Sequence, residues 1–340
     1  MIPEKKLKEI RSFLKKAENP LFFYDDDPDG LSSYLLLRKY IDKGKGIPVK
    51  ASLLDEKFLR KVKENSPDYI FALDQPRIDQ EFVDNLNVPF IWLDHHPITD
   101  LKGVHYYNPL KHTPKDNKPT TYYAYKVTKQ NLWLATIGTV ADWHVPEFLK
   151  DFNKKYPDLT NNKTEPGDLN FSSKLGELIQ IFCFLLKGTT SDVKKRVSVL
   201  SKIESPYEIL NQETPKGKFL FKQANKFKKE YQDILDKAIN QKQEKDIFIF
   251  KYPSSKNSYT SLLSNELHYL FPNKLIIIAR QKDSELRMSL RYDKPILPNI
   301  LEKSTCNMEA SFGGHEFACG ATIKEKDFKT FIQNIKKTIE

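Results

Sequence analysis

The chain has very little cysteine. Its three thiols, Cys183, Cys306 and Cys319, lie far apart and none belongs to a CxxC pair, which excludes a disulfide framework and a zinc ribbon and suits a reducing compartment. No apolar stretch reaches the roughly 20 residues a bilayer requires. The N-terminal segment MIPEKKLKEIRSFLKKA is charged and helical in spacing, unlike the apolar core of a secretory signal. Together these absences predict a cytoplasmic protein. Long polar tracts are missing too. With 39% hydrophobic and 12% aromatic residues, a folded interior is expected throughout, and 340 residues exceed one typical core and suit two domains.

What is present begins with charge. Lysine and arginine number 55 against 45 acids, a net +10 that favours polyanionic partners such as nucleic acid, although a charge of this size also describes a solvated surface. The acids are more informative than the excess of bases. Asp25, Asp26, Asp27 and Asp29 crowd four carboxylates into five positions, an arrangement that is costly unless a cation neutralises them. They follow directly on the apolar run Leu21–Phe22–Phe23–Tyr24. Three further apolar runs end in the same way, delivering Asp74 after 69–73, Asp94–His95–His96 after 89–93 and Asp142 after 134–141. Hard oxygen donors and imidazole gathered at the ends of hydrophobic elements are what an open parallel sheet offers a metal.

The spacing predicts a helix over 4–17, strands near 21–24, 47–52, 69–73, 90–93 and 104–107, and helices over 31–43 and 56–65 between them. Such alternation implies βαβ units and a parallel, doubly wound sheet. Helices are expected at 120–129, 132–142 and 174–186, with Cys183 a small core residue. A long basic helix should run through 216–245. Beyond it, strands at 247–251, 274–280 and 285–291 with helices at 258–270 and 326–338 predict a second, smaller α/β domain. The expected division is a first domain over 1–195, a helical connector over 196–245 and a second domain over 246–340, with a cleft between the two domains.

Asp25–Gly30 resembles the opening of a calcium-binding EF-hand loop, but the twelfth position is Leu36 where that loop needs a bidentate Glu, and Pro20 with a strand-like run stands where it needs a helix. A cluster drawn from Asp25, Asp27, Asp29, Asp74, His95 and Asp142 is the alternative. Mixed carboxylate and imidazole ligation suits Mn2+, with Mg2+ also compatible, and the number of donors fits two ions about 3.5–4 Å apart. The three tryptophans, Trp92, Trp133 and Trp143, flank these segments and read most simply as core, although an exposed one could stack on a base. His144 and His268 read as packing residues.

Asp25–Asp26–Asp27–Pro28–Asp29–Gly30–Leu31–Ser32–Ser33, the lone Asp74, Asp94–His95–His96 and Gly138–Thr139–Val140–Ala141–Asp142 resemble the four ordered motifs of DHH phosphoesterases. Gly313–Gly314–His315–Glu316–Phe317–Ala318–Cys319–Gly320 resembles the GGHxxAxG signature of the DHH-associated domain, and Arg287–Met288–Ser289–Leu290–Arg291 its accompanying strand. The resemblance implies Asp25 and Asp29 on one ion, Asp74 bridging, and Asp27, His95 and Asp142 on the other. Asp94 would orient an imidazole, His96 would face the scissile phosphate, and Asp26 would not be a ligand. Arg287, Arg291, Gly313, Gly314 and His315 would bind substrate phosphate.

Leu31 stands where members acting on pyrophosphate or very short oligonucleotides carry a further Asp, and Asp27 matches an acid of RecJ-like nucleases, so the chain resembles the RecJ-like branch. In ending soon after the GGH segment it resembles that branch's compact archaeal versions. The activity this implies is a two-metal exonuclease on single-stranded DNA or RNA. The alternatives are a nanoRNase or nucleoside-bisphosphate phosphatase, and an inactive scaffold that binds DNA or replication and repair proteins.

Overall fold

The fold was obtained as a computed structural model that describes the chain except residues 51, 52, 243, 255 and 340. Two compact units make it up, Met1–Asn225 and Lys226–Glu340.

In the first unit, aromatic and aliphatic runs form β1 (Leu21–Asp25), β2 (Lys45–Val49), β3 (Ile70–Leu73), β4 (Phe90–Leu93) and β5 (His105–Tyr107). All pairings are parallel, in the order β2-β1-β3-β4-β5. Strands of such a sheet are covered on both faces and need apolar side chains on both. Accordingly Leu21, Phe23, Ala72 and Trp92 pack into one buried cluster, while on other faces Phe22 stacks on Phe71 and Tyr24 on Tyr34. The connecting helices are α1 (Glu4–Lys16), α2 (Pro28–Ile41), α3 (Leu59–Asn65), α4 (Gln80–Asp84), α5 (Thr120–Thr128) and α6 (Leu132–Ala141).

The strand predicted at 47–52 is shifted towards the N-terminus, and its last two positions lie outside the described residues. The region after 142 holds more helices than its periodicity predicts, among them Leu149–Lys155, Pro157–Thr160, Pro166–Phe171 and Thr190–Leu200. Several begin on proline, whose fixed φ starts a helix too short to display a repeat.

The basic helix is Pro215–Ile239, shorter at its C-terminal end than the expected 216–245, and the boundary between the units falls within it. The second unit is a mixed sheet of β6 (Ile247–Pro253), β7 (Leu275–Lys282), β8 (Glu285–Arg291), β9 (Ala310–His315) and β10 (Ala318–Lys324), in the order β6-β7-β8-β10-β9. Only β6 and β7 run parallel. Its core combines Leu275, Ile277, Leu286, Leu290 and Ile323 with Phe331 and Ile335 of the helix Phe328–Ile339.

The segment Gly313–Gly314–His315 is strand, not turn. His315 pairs with Ala318 and Gly313 with Gly320, so the chain reverses at Glu316 and Phe317. Residues 311–315 are exposed. Having no inward-facing apolar side chain, they carry no alternation from which a strand could be read. Gly314 has φ +141° and a Cβ there would meet Ala318 O at 2.3 Å, a position only glycine suits.

Candidate metal centre

The strand order β2-β1-β3 reverses direction between β1 and β3, the switch point at which open α/β sheets collect ligands beyond their C-terminal strand ends. Asp25 ends β1, Asp74 follows β3 at once, and Asp94–His95–His96 follow β4. Asp27 caps α2, its Oδ1 accepting from Gly30 N at 2.9 Å, and Pro28 opens the helix. The turn is tight: a Cβ on Gly30 would lie 2.6 Å from Asp25 N and 2.7 Å from Asp25 O.

Asp29 is buried and doubly anchored by the first turn of α5, Thr120 N donating to Oδ2 at 2.9 Å and Thr121 N to Oδ1 at 2.7 Å. Thr120 Oγ1 donates to Asp74 Oδ1 at 3.0 Å. Asp74 takes φ +60°, a left-handed backbone uncommon outside glycine and typical of sites where function constrains geometry.

His95 Nε2 lies 3.4 Å from Asp74 Oδ1, 3.6 Å from Asp142 Oδ2 and 4.0 Å from Asp29 Oδ2. Its Nδ1 lies 3.2 Å from the Asn117 carbonyl, which leaves Nε2 to face the acids when Nδ1 carries the proton. His96 Nδ1 sits 2.8 Å from Asp94 Oδ1. Asp94 is itself held by Asn108 Nδ2 and Tyr106 OH, each at 3.3 Å.

Three sets of donor atoms lie within 4.8 Å of one another: Asp25, Asp27 and Asp74; Asp29, His95 and Asp142; Asp74, His95 and His96. Asp74 and His95 link the sets. The grouping seats Asp27 with Asp25, and Asp29 with His95, where the resemblance pairs them the other way, yet Asp27 also senses Asp29, Asp142 and His96. Asp26 stands apart. It points towards Lys50 Nζ at 4.0 Å and joins none of the three sets.

Electrostatics make the centre costly without a cation. Burial, then the charge of Asp29, pushes Asp27 up to about 7. Burial and Asp74 raise Asp29 to about 7, and burial does the same for Asp142 against the opposing pull of His95. Asp25 is raised by burial and by Asp27 and Asp74. Burial disfavours charge on His95, but its bond to Asp74 and the surrounding acids outweigh this and raise it. Burial also opposes charge on His96, where the bond to Asp94 prevails. Among the described residues no lysine or arginine pairs with Asp25, Asp27, Asp29, Asp74 or Asp142, and both polar atoms of the fully buried Gln75, next to Asp74, have no partner. Hard oxygen donors with few imidazoles, buried and lacking internal cations, fit divalent metal.

The second unit holds the remaining sequence candidates. Arg287 is exposed on β8, and Arg291 is tied to the helix Thr260–Leu270 through Asn265 Oδ1 at 2.6 Å. Gly313, Gly314 and His315 lie exposed on the edge strand β9.

Sequence reasoning missed Thr120, Thr121, Asn108, Tyr106, Asn117 and Gln75. Only Thr120 and Thr121 carry a signal, two hydroxyl residues after Pro119 at a helix start. It also misplaced one tryptophan. Trp92 and Trp133 are core, but Trp143 is 37% exposed with φ +59°. His144 packs edge-on to Tyr122, and His268 Nε2 meets Asp293 at 3.0 Å.

A parallel sheet carrying clustered acids and imidazoles at its switch point, followed by a separate mixed-sheet unit, defines a two-unit α/β protein with a candidate metal site. Residues 256–340 match the DHHA1 domain family. The fold is shared with RecJ of Thermus thermophilus solved with Mn2+, at 15% identity and TM-score 0.60 over 98% of this chain and 54% of that one. It is also shared with an exonuclease RecJ bound to manganese, at 14% and 0.61 over 99% and 94%. The DHH domain of a protein described as belonging to a family of ribosomal proteins matches at 13% and 0.72 over 99% and 90%. This chain thus spans about half of the Thermus RecJ chain. A search of curated proteins finds no match. Residues 256–340 thus match a DHHA1 domain, and the chain as a whole shares the fold of RecJ and of a DHH domain.

Proposed function

We propose that the protein is a metal-dependent phosphodiesterase, specifically a RecJ-like exonuclease that releases nucleotides from the ends of single-stranded DNA or RNA. The observation that carries this reading is the convergence of acids and imidazoles from four separate segments into linked sets of donors within 4.8 Å. Asp25, Asp27, Asp29, Asp74, His95 and Asp142 would hold two divalent ions, Mn2+ preferred and Mg2+ accepted. Ions bound there would supply Lewis acidity and a hydroxide nucleophile near neutral pH.

The chain's own groups do the rest. Thr120 and Thr121 fix the Asp29 and Asp74 carboxylates before any ligand arrives, so little reorganisation is needed. Asp94 accepts from His96 Nδ1, which orients the ring and leaves Nε2 to meet a phosphate oxygen. In the assignment that accompanies this reading, 1–195 is catalytic, 196–245 connects, and 246–340 binds substrate. Exposed Arg287, with Arg291, Gly313, Gly314 and His315, would anchor phosphate near a strand terminus, which favours cleavage from an end. Lysine-rich surface adds salt-sensitive affinity for single strands. Replication or repair proteins are the expected protein partners, and among the described residues no helix is long and apolar enough to cross a membrane.

An inactive scaffold is disfavoured because every proposed carboxylate is present. The test is digestion of end-labelled DNA and RNA strands with Mn2+ or with EDTA. Stepwise release of mononucleotides only with Mn2+ is expected. Intact strands in every lane would refute the assignment.

A further inference from the structure

A cavity of about 270 Å3 lies in the first unit, its polar lining drawn from Tyr34, Arg38, Lys45, Asn65, Lys194 and Ser198 and its apolar lining from Ile47 and Val197, alongside Gly44 and Gly46. It is remote from the acids. Lys45 pairs with Leu21 at the start of β1, whereas Asp25 ends that strand, a separation of about 13 Å at the rise of a β-strand. Arg38 stands nine residues beyond Asp29 on α2, again about 13 Å at the helical rise.

Its lining is cationic and unbalanced. No carboxylate lines it, and neither Lys45 Nζ nor Lys194 Nζ has a hydrogen bond or ion pair among the described residues. Lys194 is held below the usual lysine range by burial and by the charge of Lys61, against the pull of Glu64, with a smaller push from Lys45. Three cations facing one small space repel one another unless an anion joins them.

The wall opposite is preformed. Tyr34 is buried, stacked on Tyr24 with ring centroids 4.8 Å apart, and its hydroxyl bonds to Arg38 and to the Gly46 amide. A Cβ on Gly46 would lie 2.5 Å from the Tyr34 ring, and Gly44 takes φ +96°. The Gly44–Lys45–Gly46 backbone is therefore fixed against the ring before any ligand binds.

We propose that this cavity binds a small phosphate-bearing anion, gripped by Arg38, Lys45 and Lys194, with the Ser198 hydroxyl as a further donor. Two or three cations match a phosphate dianion better than a single carboxylate. The volume, about nine waters' worth at ~30 Å3 each, admits a phosphate with a small appendage such as a sugar. It falls just short of the ~300–1,000 Å3 that drug-sized ligands occupy. With its ring already stacked on Tyr24, Tyr34 offers no free face to a base, which disfavours a track for stacked nucleotides.

The test titrates full-length, EDTA-treated protein, whose acid cluster then holds no metal to attract phosphate. Inorganic phosphate, ribose 5-phosphate and a nucleoside monophosphate are the calorimetric probes. Wild type should bind at least one of them, and which binds tightest separates free phosphate from a phosphorylated metabolite. The double variant Lys45→Gln, Lys194→Gln should bind about tenfold or more weakly, having lost two charge-assisted contacts. It should keep its melting temperature and its Mn2+-dependent hydrolysis. Three results overturn the proposal: no heat with any probe at millimolar concentration, equal binding by the double variant, or loss in that variant of single-stranded oligonucleotide binding alone.

Discussion

His96 Nδ1 lies 2.8 Å from Asp94 Oδ1, and Asp94 is buried between that ring, Tyr106 OH and Asn108 Nδ2. The acid therefore sets the orientation and tautomer of the imidazole. Asp94→Asn keeps the shape but can present an amide N–H where the ring needs an acceptor. Turnover should fall about 10–100-fold, the usual effect of losing such a partner, while Mn2+ binding is retained. Steady-state rates measured beside Mn2+ titrations decide this. A variant that loses its metal and its rate together would show that Asp94 acts on the donors themselves.

Thr120 ties two donors together, its amide on Asp29 and its hydroxyl on Asp74. Thr120→Val removes only the hydroxyl bond and leaves a buried carboxylate oxygen unmatched, a cost of about 1–3 kcal/mol. Weaker Mn2+ binding is expected, with recovery in Thr120→Ser. Equal affinities in all three proteins would mean the bond does not position Asp74.

The raised acids give stability a distinctive pH dependence. Asp27, Asp29 and Asp142 are each pushed up to about 7, so protonation favours the folded state and that advantage fades as pH rises from the unfolded carboxyl value near 4 through about 7. His95 and His96 are raised as well; their contribution is complete below about 6.5 and fades as pH passes their folded values. Metal-free protein should thus melt at a lower temperature at about pH 8 than at about pH 6. Added Mn2+ should stabilise more at the higher pH, because the cation displaces protons. Thermal melts at both pH values, with and without Mn2+, read this directly, and a metal-free protein that stabilises towards alkaline pH would contradict it.

Gly30 is a steric requirement of the loop. A Cβ there meets Asp25 backbone atoms at 2.6–2.7 Å, and backbone cannot yield as a flexible side chain does. Gly30→Ala should cost at least the ~1–3 kcal/mol of ordinary overpacking and misplace Asp25 and Asp27. Urea denaturation with and without Mn2+ would show it as lower stability and weaker metal protection; wild-type values in both would disprove the close approach.

Trp143 is exposed beside Asp142 in a left-handed conformation unusual for so large a side chain. If the nuclease reading holds, it stacks on a base, worth about 1–3 kcal/mol. Trp143→Ala should then raise KM for oligonucleotides and spare hydrolysis of a small phosphodiester lacking a base. An equal loss on both substrates would assign it to folding of the Asp142 loop.

The first sheet was legible chiefly through β1, β3 and β4, short apolar runs that lead straight into acid or imidazole, and those run ends also marked the donors. What supports those donors was not, since Thr120, Asn108 and Tyr106 reach their partners across the fold and no local spacing encodes that. Nor was the exposure of Trp143 readable, because its neighbours Asp142 and His144 place it on no apolar periodicity. The Gly313–His315 strand was hidden for another reason: it is held by pairing with β10 and buries almost nothing of its own.

The central claim is that Asp25, Asp27, Asp29, Asp74, His95 and Asp142 together hold divalent cations. Equilibrium Mn2+ binding followed by electron paramagnetic resonance tests it most directly, on wild type and on Asp74→Ala, which removes the donor shared between sets. The account predicts about two bound ions per wild-type chain and a clear loss in the variant. Wild-type protein that leaves all its Mn2+ free, or a variant that binds as many ions as tightly, would contradict it.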